Sequence, residues 1–308
     1  MVMPKYRHLT NTILLLLLCF FSNFSHARDL ADVKADGVLR HIGIPYANFV
    51  IIYKEGHKTV VNGFDVELMK GFAKHLGVKY EYVRASWSNA FTLLTGRNAH
   101  YSNTGLIRGH VTHDIKGDLL ASGTTILPWR TEVVDFSNYY FPSAVWLMAR
   151  TDSSIKPITP SGSVIQDIIT VKKALKGHTV LAMKQTCIDP DLYNLYDTEA
   201  KIILPVTELK LSEMIPAILN NDAESTLLDV PDILIGLQKW PGETKVIGPI
   251  SEDQKMGVGF RKDSPKLRKA FNQYLKTIQQ SGQYNVLVKK YYPSVFNFYP
   301  DFFKIDNK

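Results

Sequence analysis

Arg130 stands seven residues after Gly123, with Thr124 and Thr125 between them, in the stretch SGTTILPWRTEVVDFSNYY from Ser122 to Tyr140. A planar guanidinium makes two parallel charge-assisted hydrogen bonds to a carboxylate, with more directionality than an ammonium. The spacing therefore reads either as a clamp for an anionic group or as a strand end, a turn and a surface arginine. Asp229, in LLDVP, follows two leucines where a strand should end, the edge at which open α/β sheets bind ligands. With Pro231 so close, it also reads as a helix N-cap. Asp189-Pro190 forms a cap and first-turn pair, opening a helix whose amino end favours an anion nearby. His100, His110 and His113 invite a metal site, but no cysteine accompanies them and nearby acids are few. A solvated loop is the expectation there, with no metal and no cofactor. No phosphate-loop pattern is present.

These residues need a scaffold, and the chain supplies one by alternation. VLRHIGI (Val38 to Ile44) reads as a strand between Gly37 and Pro45. Val66, Met69, Phe72, Ala73 and Leu76 form a helical stripe stopped by Gly77. VKYEYV reads as a strand, Ser88 begins a short helix ending near Gly96, and GDLLAS reads as the next strand. Residues Ala99 to Lys116 break the rhythm with Gly, Ser, Asn and Thr. They read as an inserted hairpin or excursion, dispensable for folding because shortening a loop costs little, and placed to shape a cleft rim or a partner surface. Beyond the strand Val145 to Ala149, the loop TDSSIKPITPSGS looks like a boundary, and LKGHTVLAM and ESTLLDVPDILIGL continue the alternation. Ser264 and Pro265 pair as N-cap and first helical residue of a helix with Leu267, Ala270, Phe271, Tyr274, Leu275 and Ile278 on its apolar face. Strand-helix alternation of this kind predicts an α/β protein with helices covering a mostly parallel sheet.

The first 27 residues read as a signal peptide: Lys5 and Arg7, then nine apolar residues from Ile13 to Phe21, then Ser25-His26-Ala27 at the cleavage positions. Nine residues are too few to span a bilayer, which takes about 20. Cleavage after Ala27 and export to a bacterial periplasm are expected. Residues 28–308 are more than one core usually holds, so two lobes are expected. Cys187 is then the one remaining cysteine, which excludes an internal disulfide. Removing Lys5 and Arg7 lowers the net charge from +7 to +5, dispersed without a basic block, so nucleic acid is not expected as a partner.

Four segments occur in order: NGFDVELMKGFAKHLGVKYEYV, SGTTILPWRTEVVDFSNYY, LLDVPDIL and MGVGFRKDSPKLRKAFNQYLKTIQQSGQYNVLVKKYYP. Together they resemble the periplasmic solute-binding proteins of polar amino-acid ABC transporters, over about residues 36 to 294. The resemblance implies a type II periplasmic-binding-protein fold, two hinge-linked α/β lobes with a ligand cleft between. Lobe 1 would comprise residues 28–142 and 255–308, and lobe 2 residues 143–254. It also implies a monomer that captures an amino acid-like ligand and delivers it to an ABC transporter membrane permease. Arg130 matches the arginine that grips the ligand's α-carboxylate, Thr125 a hydroxyl donor beside it, and Gly123 a backbone carbonyl that meets the α-ammonium. Asp229 matches the second-lobe aspartate that pairs with that ammonium, and Thr186 a threonine that assists the carboxylate. Tyr46 and Trp87 match aromatic residues flanking the ligand's side chain, and facing aromatic rings suit a cationic or flat group. The chain departs from the pattern at Gln185, where the family usually has glycine, at Cys187, and at Leu127 and Trp129, which replace polar residues. Gly43, Met183 and Leu228 near the side-chain positions bring no charge, which argues against an acidic ligand.

Two rivals share the scaffold. A cyclohexadienyl dehydratase-like enzyme needs a cleft carboxylate as general acid, for which Asp229 or Glu224 could nominally serve. Sensory and lytic-transglycosylase versions normally carry further modules, for which the sequence after YYPSVFNFYPDFF is expected to leave no room. A soluble sensor component read by a separate receptor stays open.

Overall fold

A computed structural model describes residues 28–205 and 210–304; the expected signal peptide lies outside them. Asp29 caps the helix Leu30–Asp36 with a capping box, and Gly37 at φ 68° turns the chain into the strand Val38–Gly43. That strand pairs in parallel with Lys79–Arg84 and with Leu119–Leu120. The helix Phe64–Leu76, predicted by its apolar stripe, buries Phe64, Val66, Leu68, Met69 and Phe72 beside this sheet. Gly259–Phe260 completes the sheet, antiparallel both to Leu119–Leu120 and to Asp135–Phe136. The mostly parallel sheet of the sequence reading is thus mixed at one side. The added strand arrives from the far end of the sequence and enters in the opposite sense.

A second five-stranded sheet has the order Lys201–Ile203, Thr179–Leu181, Ser225–Asp229, Val145–Arg150, Thr244–Pro249. Its first three strands run parallel, whereas Val145–Arg150 is antiparallel to both neighbours. The protein is therefore a two-lobed α/β protein with one five-stranded sheet in each lobe among the described residues. Phe141–Ser143 pairs antiparallel with Gln254–Met256, a two-stranded ribbon that carries the chain out of the first sheet's half and back. We place the lobe boundaries inside this ribbon, at 142/143 and 254/255.

The helices Pro265–Gln280 and Gln283–Tyr291 return to the first lobe and pack on Phe64–Leu76, with Phe72 and Phe271 edge to face at 5.2 Å. Ser264 occupies the N-cap position, but its hydroxyl donates to the Arg28 carbonyl at 3.0 Å. The orphan N–H of Leu267 donates instead to Asp29 Oδ1 at 2.7 Å. An ionised carboxylate is the stronger acceptor at the positive end of a helix, and it displaces the serine from that task.

The insertion is an antiparallel hairpin, Arg97–Ser102 against Gly105–Thr112, with a register shift between Arg97 and Ala99. It folds over the short helix Pro128–Val133, with Tyr101 stacked on Trp129 at 6.4 Å and Arg108 donating to the Glu132 carbonyl at 3.1 Å.

Candidate functional site

The clamp begins as a turn fixed from behind. Gly123 sits at φ 56°, and its N–H donates to Asp65 Oδ2 at 2.7 Å. Asp65 is fully buried and also accepts from the Tyr140 hydroxyl at 2.8 Å; burial pushes its carboxyl up to about 7, against the pull of these two donors. On the other side, Ile126 N donates to Lys255 O at 2.8 Å and Gly257 N to Thr124 O at 3.0 Å. The turn is thus stitched to the second crossing strand of the hinge ribbon.

A Cβ added at Gly123 would lie 2.5 Å from two ring carbons of Phe49, on a backbone that L side chains rarely adopt. Gly123→Ala is expected to cost about 2–5 kcal/mol, combining left-handed strain of about 1–2 with over-packing of about 1–3. Gly177→Ala is the control: it shares a positive φ of 78° but has open space around it, so it should cost only the strain. Urea midpoints of the two variants separate the contributions.

Pro128 starts the helix Pro128–Val133 and places Arg130 in its first turn. The side chain is fully buried; Nη1 donates to Thr125 O at 3.0 Å, while Nε and Nη2 have no partner. Its guanidinium lies 5.2, 5.5 and 5.9 Å from the ring centres of Trp129, Trp87 and Phe91. These faces offset part of the cost of burying the charge, although burial still lowers the pKa of Arg130. The hydroxyls of Thr124 and Thr125 are buried and unpartnered beside it. Buried polar groups are nearly always paired, so several unpaired donors in one spot describe a receptor for an anion.

The opposite charge comes from the second sheet. Asp229 ends the strand Ser225–Asp229 and precedes the helix Val230–Lys239, but its side chain makes no cap bond. Instead Oδ2 accepts from the Tyr46 hydroxyl at 3.0 Å and from Cys187 Sγ at 2.9 Å, leaving Oδ1 buried and unpaired. Burial raises the Asp229 pKa against the opposing pull of Cys187, Tyr46 and Arg130. The same burial pushes the Cys187 thiol and the Tyr46 phenol up, so both act as donors. Tyr46 thereby links the lobes, its ring stacked on Phe49 and edge to face with Trp87, both at 5.7 Å.

The structure brings Arg130, Thr125, Trp87, Tyr46 and Asp229 together. Gly123 supports the turn, and its N–H already serves Asp65. Thr186 is buried nearby with its hydroxyl spent locally, donating to Met183 O at 2.8 Å and accepting from Ile188 N at 3.2 Å. Asp189 caps as its sequence predicts, accepting from Asp191 N at 3.0 Å. The element that follows is only a single 3₁₀ turn, Pro190–Tyr193, too short for the anion-favouring helix end expected there. Gln185, where glycine is usual, has the φ of 63° that favours glycine.

Sequence reasoning missed three contributors. Asp65, in NGFD, was visible only as an acid within an apolar helical stripe. Cys187 gave no hint of its carboxylate partner. Asp232 lies one turn after Asp229, buried with Oδ2 unpaired, its carboxyl pushed up to about 8 by burial and by Asp229. Among the described residues no group of three or more His, Cys, Asp or Glu could hold a metal ion, and no helix is long and apolar enough to cross a membrane.

A family model, bacterial extracellular solute-binding proteins, family 3, matches residues 41–294. The chain is 26% identical over 254 residues to a membrane-bound lytic murein transglycosylase F of Desulfosudis oleivorans, covering 82% of the chain but spanning about half, 48%, of that relative. It is 26% identical over 247 residues to the arginine-binding extracellular protein ArtP of Bacillus subtilis, covering 78% of the chain and 80% of ArtP. Among solved structures, a variant of ArgBP from T. maritima superposes with a TM-score of 0.66 at 24% identity, covering 86% of this chain and 99% of that one. The ancestral amino acid-binding protein AncCDT-1, described as a precursor of cyclohexadienyl dehydratase, gives 0.65 at 23% identity, covering 85% and 99%. At such identities the superpositions speak for the fold.

Proposed function

Because the chain belongs to the bacterial extracellular solute-binding proteins of family 3, we propose that it captures a free amino acid or close relative between its lobes for ABC-type uptake. One observation carries the reading. Arg130 on the first lobe and Asp229 on the second each keep unpaired polar atoms, both fully buried and near enough for their charges to interact. A ligand with a carboxylate and an ammonium completes both at once, and each lobe then holds one end of it. Thr125 adds a hydroxyl to the carboxylate, and Trp87 and Tyr46 flank the rest. Signal-peptide cleavage after Ala27, a periplasmic location, a monomeric state and delivery to a membrane permease complete the proposal.

We read the protein as a binder that releases its ligand unchanged. Glu224, one nominal general acid, pairs with His178 at 2.7 Å, at the opposite end of the strand that carries Asp229. Five steps along the strand separate their α-carbons by roughly 16 Å and turn the two side chains to opposite faces. Asp229 itself is engaged by two donors, the Tyr46 hydroxyl and the Cys187 thiol, both on its Oδ2.

Trp87 and Trp129 flank the clamp, so tryptophan emission reports on occupancy. Titration with the common amino acids should give saturable one-to-one changes for at least one of them. Flat responses to every amine-bearing carboxylate would contradict the amino-acid reading.

A further inference from the structure

The hairpin Arg97–Ser102/Gly105–Thr112 reaches the second lobe. An open chamber of about 640 Å³ is lined on one side by His100 and Tyr101 of the hairpin, and on the other by Lys184, Gln185, Asp191 and Tyr196. That volume is in the range of small-molecule sites. Its two walls are attached to the two anchors. Tyr101 stacks on Trp129, which lies against the Arg130 guanidinium. Lys184 and Gln185 immediately precede Thr186 and Cys187, whose thiol touches Asp229.

From this geometry we infer that the chamber is an outer subsite, which takes the distal part of a ligand longer than a common amino acid. This rests on the amino-acid reading above and names the class of ligand within it: an α-amino acid extended by a neutral, hydrogen-bonding substituent. The lining sets that chemistry. The Lys184 ammonium is already paired with Asp191 and rests 5.2 Å from the centre of the Tyr196 ring, so the two opposite charges that line the wall cancel, while Asp189, 3.5 Å from the ammonium, is buried behind it. Among the described residues no hydrogen bond occupies the Gln185 amide or the half-exposed Tyr196 hydroxyl, and two phenol rings face the space. Amide and hydroxyl substituents suit such walls; a second carboxylate or ammonium does not. Gln185 adds an independent sign. It holds a left-handed backbone at φ 63°, anchored by its N–H to Asp189 Oδ2 at 2.8 Å. Strain of this kind at a chamber rim is a pointer to function.

The test is calorimetry on three matched pairs: L-lysine and Nε-acetyl-L-lysine, L-glutamine and its N-(2-hydroxyethyl) amide, and L-asparagine and its N-acetylglucosaminyl conjugate. The parent should bind the longer member of at least one pair at least ten-fold more tightly. Two variants, one from each wall, should erase that preference while changing affinity for the shorter member less than two-fold. The first is Gln185→Gly with Tyr196→Ala. The second replaces residues 98–111 by a short Gly/Ser link, with its melting transition recorded to confirm folding. No preference in any pair overturns the subsite. So does an equal loss for both members of a pair, which makes the hairpin a brace for lobe closure. Absence of binding by all six compounds and by the twenty common amino acids overturns the amino-acid reading itself, and the subsite with it.

Discussion

Arg130→Ala should weaken binding of the preferred amino acid by about 30-fold or more, while the melting temperature of the unliganded protein does not fall. Losing one partner of a desolvated charge pair costs roughly 2–5 kcal/mol, and each 1.4 kcal/mol is about ten-fold in affinity. The guanidinium makes one hydrogen bond within the protein, to Thr125 O, and leaves Nε and Nη2 unpaired. Removing a buried charge with unmet donors relieves the empty protein and penalises the complex. That divergence identifies a ligand residue, since a structural arginine would lower both. Arg130→Lys should recover only part of the affinity, because an ammonium lacks the two-pronged geometry and sits less well among the Trp87, Phe91 and Trp129 rings. Calorimetry with parallel thermal melts reads both quantities.

Asp229→Asn should reduce affinity for ligands carrying an α-ammonium by about 30-fold to several hundred-fold, within the same energetic range. The substitution is close in shape, and its carbonyl oxygen can still accept from Tyr46 and Cys187. The amide nitrogen then occupies the place of Oδ1, the atom that is buried and unpaired, and sets a donor against the ligand's donors. Analogues lacking the α-ammonium should bind the variant about as well as the parent. A uniform loss across both classes would instead mean that Asp229 serves only to hold Tyr46 and Cys187 in place.

The contrast between these predictable residues and those that escaped notice follows from where their information lies. The places of Arg130 and Asp229 in the fold were legible from local patterns, a hydroxyl-rich turn before a proline-initiated helix and an acid ending an apolar strand, whereas their ligand roles rested on the resemblance. The helices Phe64–Leu76 and Pro265–Gln280 were legible through periodicity, since one buried face repeats every three to four residues. Asp65 bonding Gly123 58 residues away, or Asp29 taking over the cap of Ser264 across 238, has no local trace. The same holds for Gly259–Phe260, a two-residue strand whose direction depends on the chain having first built the second lobe. Thr186 shows the converse. Its neighbourhood matched a pattern, but its hydroxyl turned back to close its own turn between Met183 O and Ile188 N. Cys187 became meaningful only when folding set its thiol against Asp229.

The central claim is that Arg130 and Asp229 hold the two ends of one zwitterion from opposite lobes. Its most direct test is calorimetry of the parent protein with the tightest-binding amino acid, the amine left by removing its α-carboxylate, and the acid left by removing its α-ammonium. The account predicts tight one-to-one binding of the zwitterion and a loss of about 30-fold or more for each of the other two. Binding of either truncated compound as tight as that of the intact amino acid would contradict it.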